Sequence, residues 1–576
     1  MRTVLLCALI AGALPMVAQQ MSADGIPVKN PSTGMQLKDP PIDKGLSEGL
    51  NVPVFPKKDW LRQHFTPHIP HVELRPPARL QDFIVNGKLE LSLKNYMDLV
   101  LINNTDIEIQ RLSVEQPRNA ITRAASIFDP LFQGRFAATR ANSASTDLLA
   151  GAATLSQLSQ PWNFQYQQTL STGAQVTGGF TGQKLSTNSQ FVTFNPAFTT
   201  NLNLSFTQPL LRGRGKLVTM LPISVARSRL RVSQYNFADT MLRLLATAET
   251  AYWNVIEARE NLRVQEKALE LADVSLKRAQ RELELGASSQ LDIYQPQAVY
   301  ANAEIFVTQA RYRLAQTEDA LRRQIGVDLD PQVRKLPVVL TEPVTAPSDN
   351  AEIDKEAMVQ KAMMLRPDLR SDRQSLDVDD LNIHIAKNAL LPNLSLGGGY
   401  TTTGRGGTFF PRSSLTSTGP IVPIPGGVSD AFNQMFGFGF PTYNFSLTLS
   451  FPLRDRRAAA DLADAAVQRK ADMLQLRTDQ QTARLDVLTA VNQVEQSRAS
   501  VKLAVIARDL AQKRVEAEQK KYELGTTTIF FVLSAQADLT QAESNLVTQN
   551  VGYRRNMLLL MQRTGELLAE RGVVLP

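Results

Sequence analysis

The chain has 576 residues, 43% of them apolar, 20% charged and 7% aromatic, a length that allows three to four ordinary domains or one very elongated one. Its 62 basic and 55 acidic residues are spread along the whole sequence and leave a net charge of +7, which reads as a solvated surface and excludes the basic stripe of a nucleic-acid binder. The 31 glycines and 31 prolines are near the ordinary background, so neither a collagen nor a wholly disordered chain is expected.

The first residues have the form of an export signal. Arg2 supplies a positive start, Val4 to Leu14 an apolar stretch and Ala18 a small residue for cleavage, so residues 1–19 are expected to be a signal peptide. The single cysteine, Cys7, lies inside it and stands too early to be a lipoprotein acceptor. The mature chain is therefore expected to lack disulfides, iron–sulfur clusters and catalytic thiols. No run of 18 or more apolar residues follows, so no transmembrane helix is predicted. That leaves the periplasm, secretion or an outer-membrane β-barrel. Residues 20–88, with Pro40, Pro41, Pro53, Pro56, Pro76 and Pro77 among their prolines, read as an extended arm. His64, His68 and His71 sit in that arm. Pro67 and Pro70 keep them off a shared helix face, and no metal site is predicted there.

From residue 89 the chain repeats itself. NNTDIEIQR at 103–111 returns as LRPDLRSDR at 365–373, and Asp129-Pro130-Leu131 as Leu391-Pro392-Asn393. LSFTQPLLRGRG at 204–215 returns as LTLSFPLRDRR at 447–457, ELGASS at 284–289 as ELGTTT at 523–528, and QAVYANAE at 297–304 as QADLTQAE at 536–543. Each copy reads helix, β segment, β segment, long helix, tight turn, helix. The expected boundaries are 89–338 for the first copy, with β segments about 130–211, and 352–566 for the second, with β segments about 392–453. Residues 339–351 are expected to connect them and 567–576 to form a tail.

From Leu217 to Glu284 little breaks a helix except Pro222, which suits a first turn. Leu269, Ala272, Leu276, Ala279 and Leu283 step by three and four, a coiled-coil seam. In the second copy Val487, Val494 and Val501 recur every seven residues, with Val491 and Val505 between them. A helix of about 68 residues is a rod of roughly 100 Å, too long for a globular core, so its seam must pack on neighbours in a bundle or tube. The β segments alternate instead. Phe445, Leu447, Leu449 and Phe451 oppose Asn444, Ser446, Thr448 and Ser450, and Leu202, Leu204 and Phe206 oppose Asn201, Asn203 and Ser205. A lipid-facing barrel with an aqueous lumen requires this pattern, and a half-buried soluble sheet fits it equally. The export signal and the spacing of Phe436, Phe438 and Phe440, suited to an interfacial girdle, favour the barrel.

LLRGRG at 210–215 lacks the end of a phosphate loop and reads as a strand-to-helix turn. LGGGY at 396–400 suggests close packing or a bulge within a strand. His384 lies mid-helix with no nucleophile beside it. No arrangement of residues does chemistry, and neither an enzyme nor a cofactor is predicted.

The duplicated unit, its ELG turns and its QPLL strand end resemble the TolC-like outer-membrane efflux protein family over about residues 89 to 566. The resemblance implies an α+β homotrimer in outer-membrane lipid, with coiled-coil helices forming a periplasmic α-barrel and four strands per protomer entering one shared β-barrel. On that pattern FQYQQTL at 164–170 and QVTGGF at 175–180 are expected to form a longer extracellular hairpin, not wall strands. The resemblance also implies that the helix tips close the tunnel and receive a periplasmic adaptor, or membrane fusion, protein that links it to an inner-membrane pump. The matching tips are Leu285, Gly286, Ala287 and Ser288, and Leu524, Gly525, Thr526 and Thr527. An acidic ring just inside the tip is matched by Asp292, but in the second copy the corresponding places hold Phe531 and Ser534. Thr527 stands where a basic residue is expected, so Phe530 or Phe531 is a candidate for closing the pore by dewetting. The expected function is a passive exit duct in the outer membrane. The alternative is a periplasmic coiled-coil scaffold binding a surface polymer, and a metal-specific exporter rests only on the histidines of the arm.

Overall fold

A computed structural model describes residues 84–85, 87–145, 151–286, 289–326, 336–345, 352–411 and 421–573. The expected signal peptide, residues 20–83 of the expected arm with its three histidines, and Ala287 and Ser288 lie outside the described residues, while the last residues of that arm enter a small sheet. The chain divides into two units, Met1–Leu74 and Arg75–Pro576, and all the described residues belong to the second.

The first copy holds β1 (Ile84–Val85), β2 (Lys88–Leu91), α1 (Leu93–Asn103), α2 (Thr105–Ala125), β3 (Leu131–Phe136), β4 (Thr139–Ala144), β5 (Thr154–Thr169), β6 (Gln175–Thr187), β7 (Phe194–Pro209), α3 (Gly215–Thr219), α4 (Leu221–Glu284) and α5 (Tyr294–Gln324). After β8 (Val338–Leu340), the second copy holds α6 (Lys355–Leu365), α7 (Pro367–Ala389), β9 (Asn393–Phe409), α8 (Val428–Phe436), β10 (Pro441–Ser450), α9 (Arg456–Glu523), α10 (Ile529–Thr564) and α11 (Leu567–Glu570).

The duplication is visible in how the helices start. The Asn104 side-chain oxygen accepts from the Asp106 and Ile107 amides at 2.9 and 3.3 Å and opens α2. The matching break in the second copy is at Arg366, where Pro367 takes the first turn of α7, a position that needs no amide donor. Pro222 likewise falls in the first turn of α4, after a break at Met220 that ends α3. α4 and α9 run for 64 and 68 residues, close to 100 Å each at about 1.5 Å per residue. α4 packs on α2, α5, α7 and α10, and α9 on α6, α7 and α10. Val487, Val491 and Val494 are fully buried against Val359 and Tyr553, whereas Val505 is exposed. On α4 the seam centres on the small residues Ala272, Ser275 and Ala279.

A small sheet, β1-β2-β8, packs on the helices, with Leu89 of β2 parallel to Val338 of β8. Leu89, Leu91, Val338 and Leu340 join Tyr96, Leu245 and Tyr252 in the main core. The Tyr96 hydroxyl donates to the Ala248 carbonyl and the Tyr252 hydroxyl to that of Leu91, as buried phenols require. Part of the expected connector is thus a core strand. The expected tail is packed too: Leu567 is fully buried and Arg571 forks onto Glu249 at 2.6 and 3.0 Å, pairing a buried carboxylate.

The large sheet runs β10-β9-β7-β6-β5-β3, with β4 also on β5. β3 and β4 pair successive stretches of β5, Leu131 opposite Gln167 and Thr139 opposite Ser159, so together they fill one strand position. The sheet therefore has six positions, and the expectation of four strands per protomer is corrected. All of FQYQQTL but its last residue, Leu170, lies within β5 and QVTGGF within β6, and both are wall strands, antiparallel from Gln157 opposite Thr187 to Thr169 opposite Gln175. The β5–β6 turn is at the helical end of the sheet, where the Gly215 amide at the start of α3 donates to the Thr172 carbonyl. The glycines of LGGGY sit in unbroken pairing: a β-carbon at Gly398 would fall 2.5 Å from the Phe206 ring, and one at Gly399 2.1 Å from the Asn444 side chain.

Candidate functional site

The sheet separates two chemistries. Cross-strand pairing sets Phe164, Phe180 and Leu202 on one face, with Tyr166, Leu204, Tyr400 and Tyr443 on the next row. The other face carries Asn163, Thr181, Asn201 and Thr403, then Gln165, Asn203, Thr401 and Thr442. The apolar face is open: Phe132, Phe136, Phe445 and Leu447 are all exposed. Among the described residues both edges are unpaired, β10 bonding only β9, and β3 and β4 only β5. Among the described residues no helix is long and apolar enough to cross a membrane, and no group of metal-ligating side chains occurs.

At the far end of the long helices, the chain reverses through Gly286 and Gly525, with φ of +71° and +76°. The Gly525 amide donates to the Tyr522 carbonyl and the Thr526 amide to that of Lys521, a Schellman end that uses the left-handed glycine. Leu285 and Leu524, just before the glycines, are 83% and 79% exposed. Thr526 Oγ1 also donates to the Lys521 carbonyl, and Thr527 is half-buried. The Asp292 carboxylate accepts from the Ser289 amide at 3.1 Å and closes the turn before α5. Phe530 and Phe531 are half-exposed and meet edge to face at 5.5 Å. Val532, Leu533 and Ala535 fill the helix seam instead, and Ser534 is half-buried.

Three residues beside the tips were not singled out from the sequence. The Tyr522 hydroxyl donates to Glu282 at 2.6 Å, Arg278 Nε donates to the same carboxylate at 3.0 Å, and the guanidinium lies 4.8 Å from the Tyr522 ring centre. This ties α9 to α4 one turn inside both glycines. Burial first, then the bond to Glu282 and its charge, push the Tyr522 phenol up to about 12 against the pull of Arg278. The Arg278–Glu282 spacing of one helical turn was the only sequence signal. A groove of about 410 Å³ runs alongside between α4, α5 and α10, lined by Leu271, Ala272, Val299, Ala303, Phe306 and Leu533 among others.

Nearer the sheet, α7 and α9 meet through acidic side chains. Burial works to raise the Asp368 carboxyl, but Arg366 at 2.6 Å outweighs it and holds Asp368 below its usual range. Asp372, on the same helix, is pushed up to about 6 by burial and by the Asp479 carboxylate across the interface. Asp379 reaches about 6 through burial and its contact with Asp472, with Arg469 pulling the other way.

The family model for the outer membrane efflux protein matches residues 173–327 and 358–566, which takes in both helical tips, β6, β7, β9 and β10. The chain belongs to the outer membrane efflux protein family. Its place is the outer membrane, with the helical tunnel in the periplasm. It is 25% identical to the outer membrane protein TolC of Vibrio cholerae over 346 residues, 60% of this chain and 73% of TolC. It is 22% identical to the probable efflux pump outer membrane protein TtgC of Pseudomonas putida over 54% of this chain and 57% of TtgC. Among solved structures, CusC superposes with a TM-score of 0.58 at 17% identity, covering 87% of this chain and 99% of CusC. The Campylobacter jejuni CmeC outer membrane channel gives 0.57 at 16%, covering 87% and 94%. These relatives are transport proteins, which fits the non-enzymatic expectation, and the superpositions share the fold of long helices joined to a strand wall.

Proposed function

We propose that three copies of this chain close into one tube, a passive duct that docks a periplasmic adaptor and, through it, an inner-membrane pump. The observation that carries the reading is the two-faced sheet with two unpaired edges. Open edges do not survive in lipid, because each bare amide and carbonyl costs several kcal/mol there. β3 leaves the helical end and β10 returns to it, so the edges of neighbouring copies meet antiparallel. Six strand positions from each of three copies make a barrel about half as wide again as a twelve-stranded one, since diameter grows roughly with strand number. Its lining of amides and hydroxyls holds water.

The helices support the same assembly. Val467, Leu474, Leu485, Leu503 and Leu510 recur at whole turns along α9 and stay exposed, a stripe suited to helices of the next copy. The tips, with Leu285 and Leu524 outward beside glycines, and the groove beside them offer an apolar surface to an adaptor's helices. The energy for transport comes from the pump. Purified protein in planar bilayers tests the reading: it should give long-lived open steps of uniform size, and a protein that never conducts would refute the duct.

A further inference from the structure

α8 occupies an unusual place. It lies on the apolar face of the sheet, beyond the point where β10 stops pairing with β9 at Thr402. Two hydroxyls fix it: Thr200 donates to the Ala431 carbonyl at 3.0 Å and Thr402 to that of Met435 at 3.1 Å. The Gln434 side chain accepts from the Arg405 amide at 2.7 Å and so covers part of the bare β9 edge. Glycines make the seat. A β-carbon at Gly404 would fall 1.8 Å from the Ala431 carbonyl oxygen, and one at Gly406 2.2 Å from that of Gly427. Ala431 and Met435 are fully buried in it.

A row of stacked rings continues from the wall onto the helix. Phe132, Phe164 and Phe180 stack across β3, β5 and β6, Phe180 stacks on Phe432 at 5.4 Å, and Phe432 on Phe436 at 6.3 Å. Beyond the helix, Phe438 has a φ of +54°, a conformation bulky residues seldom adopt, and its ring meets Tyr400 at 6.2 Å. Phe436, Phe438 and Phe440 remain more than half exposed, while the neighbouring side of the helix, away from the wall, shows Asp430 and Asn433.

Height decides what covers those rings. Thr200 stands nine residues from the helical end of β7, about 30 Å along a strand. At the tilt of such barrels this is about 21 to 25 Å along the membrane normal, the height of the apolar band itself. We infer that α8 is an interfacial helix clamped to the outer wall at the headgroup boundary of the outer leaflet, with Phe436, Phe438 and Phe440 among the acyl chains. A shallow depression of about 620 Å³ between Tyr166, Leu204, Phe206, Tyr400 and Tyr443 on the same face gives those chains room. The helix shields the part of β9 that β10 leaves unpaired and places a polar rim above a greasy one, as amphipathic helices in membrane interfaces do.

The inference rests on the wall being a membrane barrel, and the test separates the two. Cys7 is the only natural cysteine, so single nitroxide labels go on Phe436→Cys, Phe440→Cys and Asn433→Cys in the assembled protein in bilayers. Leu447→Cys reports the outer wall and Thr181→Cys the inner one. Collision with oxygen against a water-soluble nickel chelate is then measured. Labels at 436 and 440 should match Leu447→Cys, with an oxygen-to-nickel ratio several-fold above that of Thr181→Cys, and the label at 433 should be nickel-accessible. Adding Gly404→Val should unseat the helix and lower the ratio at 436 while the Leu447→Cys ratio holds. Nickel access at 436 and 440, or access to neither reagent as under a neighbouring copy, overturns the inference while a lipid-exposed Leu447→Cys label leaves the barrel standing. A nickel-accessible Leu447→Cys label would instead overturn the barrel.

Discussion

Replacing Gly525 by valine isolates the helix tip, because the cost can be read from one dihedral angle. Its φ is +76° and a β-carbon there would meet nothing within 4 Å, so the penalty is backbone strain alone. Left-handed geometry costs an L-residue roughly 1–2 kcal/mol, and a β-branched side chain stands at the upper end. That is about a five- to thirty-fold shift away from the turn that holds the Thr526-to-Lys521 bond. Gly286, at +71° and equally open, should behave alike. Both glycines lie beyond the last buried core residues of their helices, so assembly should be unaffected. Export assays in cells with matched adaptor and pump, beside trimer yield on unheated gels, give the readout. Valine should cut export with the yield unchanged, and asparagine, which tolerates positive φ, should restore most of it. Unimpaired export with valine would refute the argument. Asparagine as harmful as valine would show that a partner's close approach, and not φ, demands glycine.

Phe531→Ala should raise single-channel conductance and cost the tip only about 1 kcal/mol, since the half-exposed ring has little burial to lose. Asp292→Asn should change conductance less, and the reverse order in bilayer recordings would reject a hydrophobic constriction. Tyr522→Phe removes the 2.6 Å bond to Glu282 and should weaken the α4–α9 tie by about 1 kcal/mol, seen as faster amide exchange at residues 278–286 and 518–526 alone. For Asp372 and Asp379 the carboxyls sit near 6 in the folded chain against an ordinary 3.8. The folded state then binds more protons between those values, so their contribution to stability is present below about 3.8 and lost as pH rises through about 6. Asp372→Asn with Asp379→Asn should raise the melting temperature at pH 7.5 and flatten its fall between pH 4 and 6; an unchanged pH profile would disprove the acidic contacts.

The long helices, the tight tips and the alternation of β7 and β10 were legible because each depends on residues close in sequence. β5 and β6 were misjudged for a pairwise reason. β6 carries Gly178 and Gly182 where an apolar residue would complete its pattern, and Leu204 and the Trp162 ring of its neighbours fill those places. The apolar face is shared between strands, so no single strand displays it. α8 was hidden likewise: Phe436, Phe438 and Phe440 mimic strand alternation, while the helix signal, Ala431 with Met435 and Phe432 with Phe436 one turn apart, is only nine residues long. The Tyr522–Glu282 bond joins residues 240 apart, and only the register of α4 against α9 brings them together.

The central claim is that the open sheet closes between copies, and its edges can be asked directly. Gln133→Cys on β3 combined in turn with Ser446→Cys or Thr448→Cys on β10 places thiols on opposite edges of one sheet, out of reach within a chain. Oxidation in intact outer membranes should give covalent dimers and trimers, no larger species, for the pair in register. Monomers alone at every pairing, in membranes where the protein is abundant, would contradict the closed barrel.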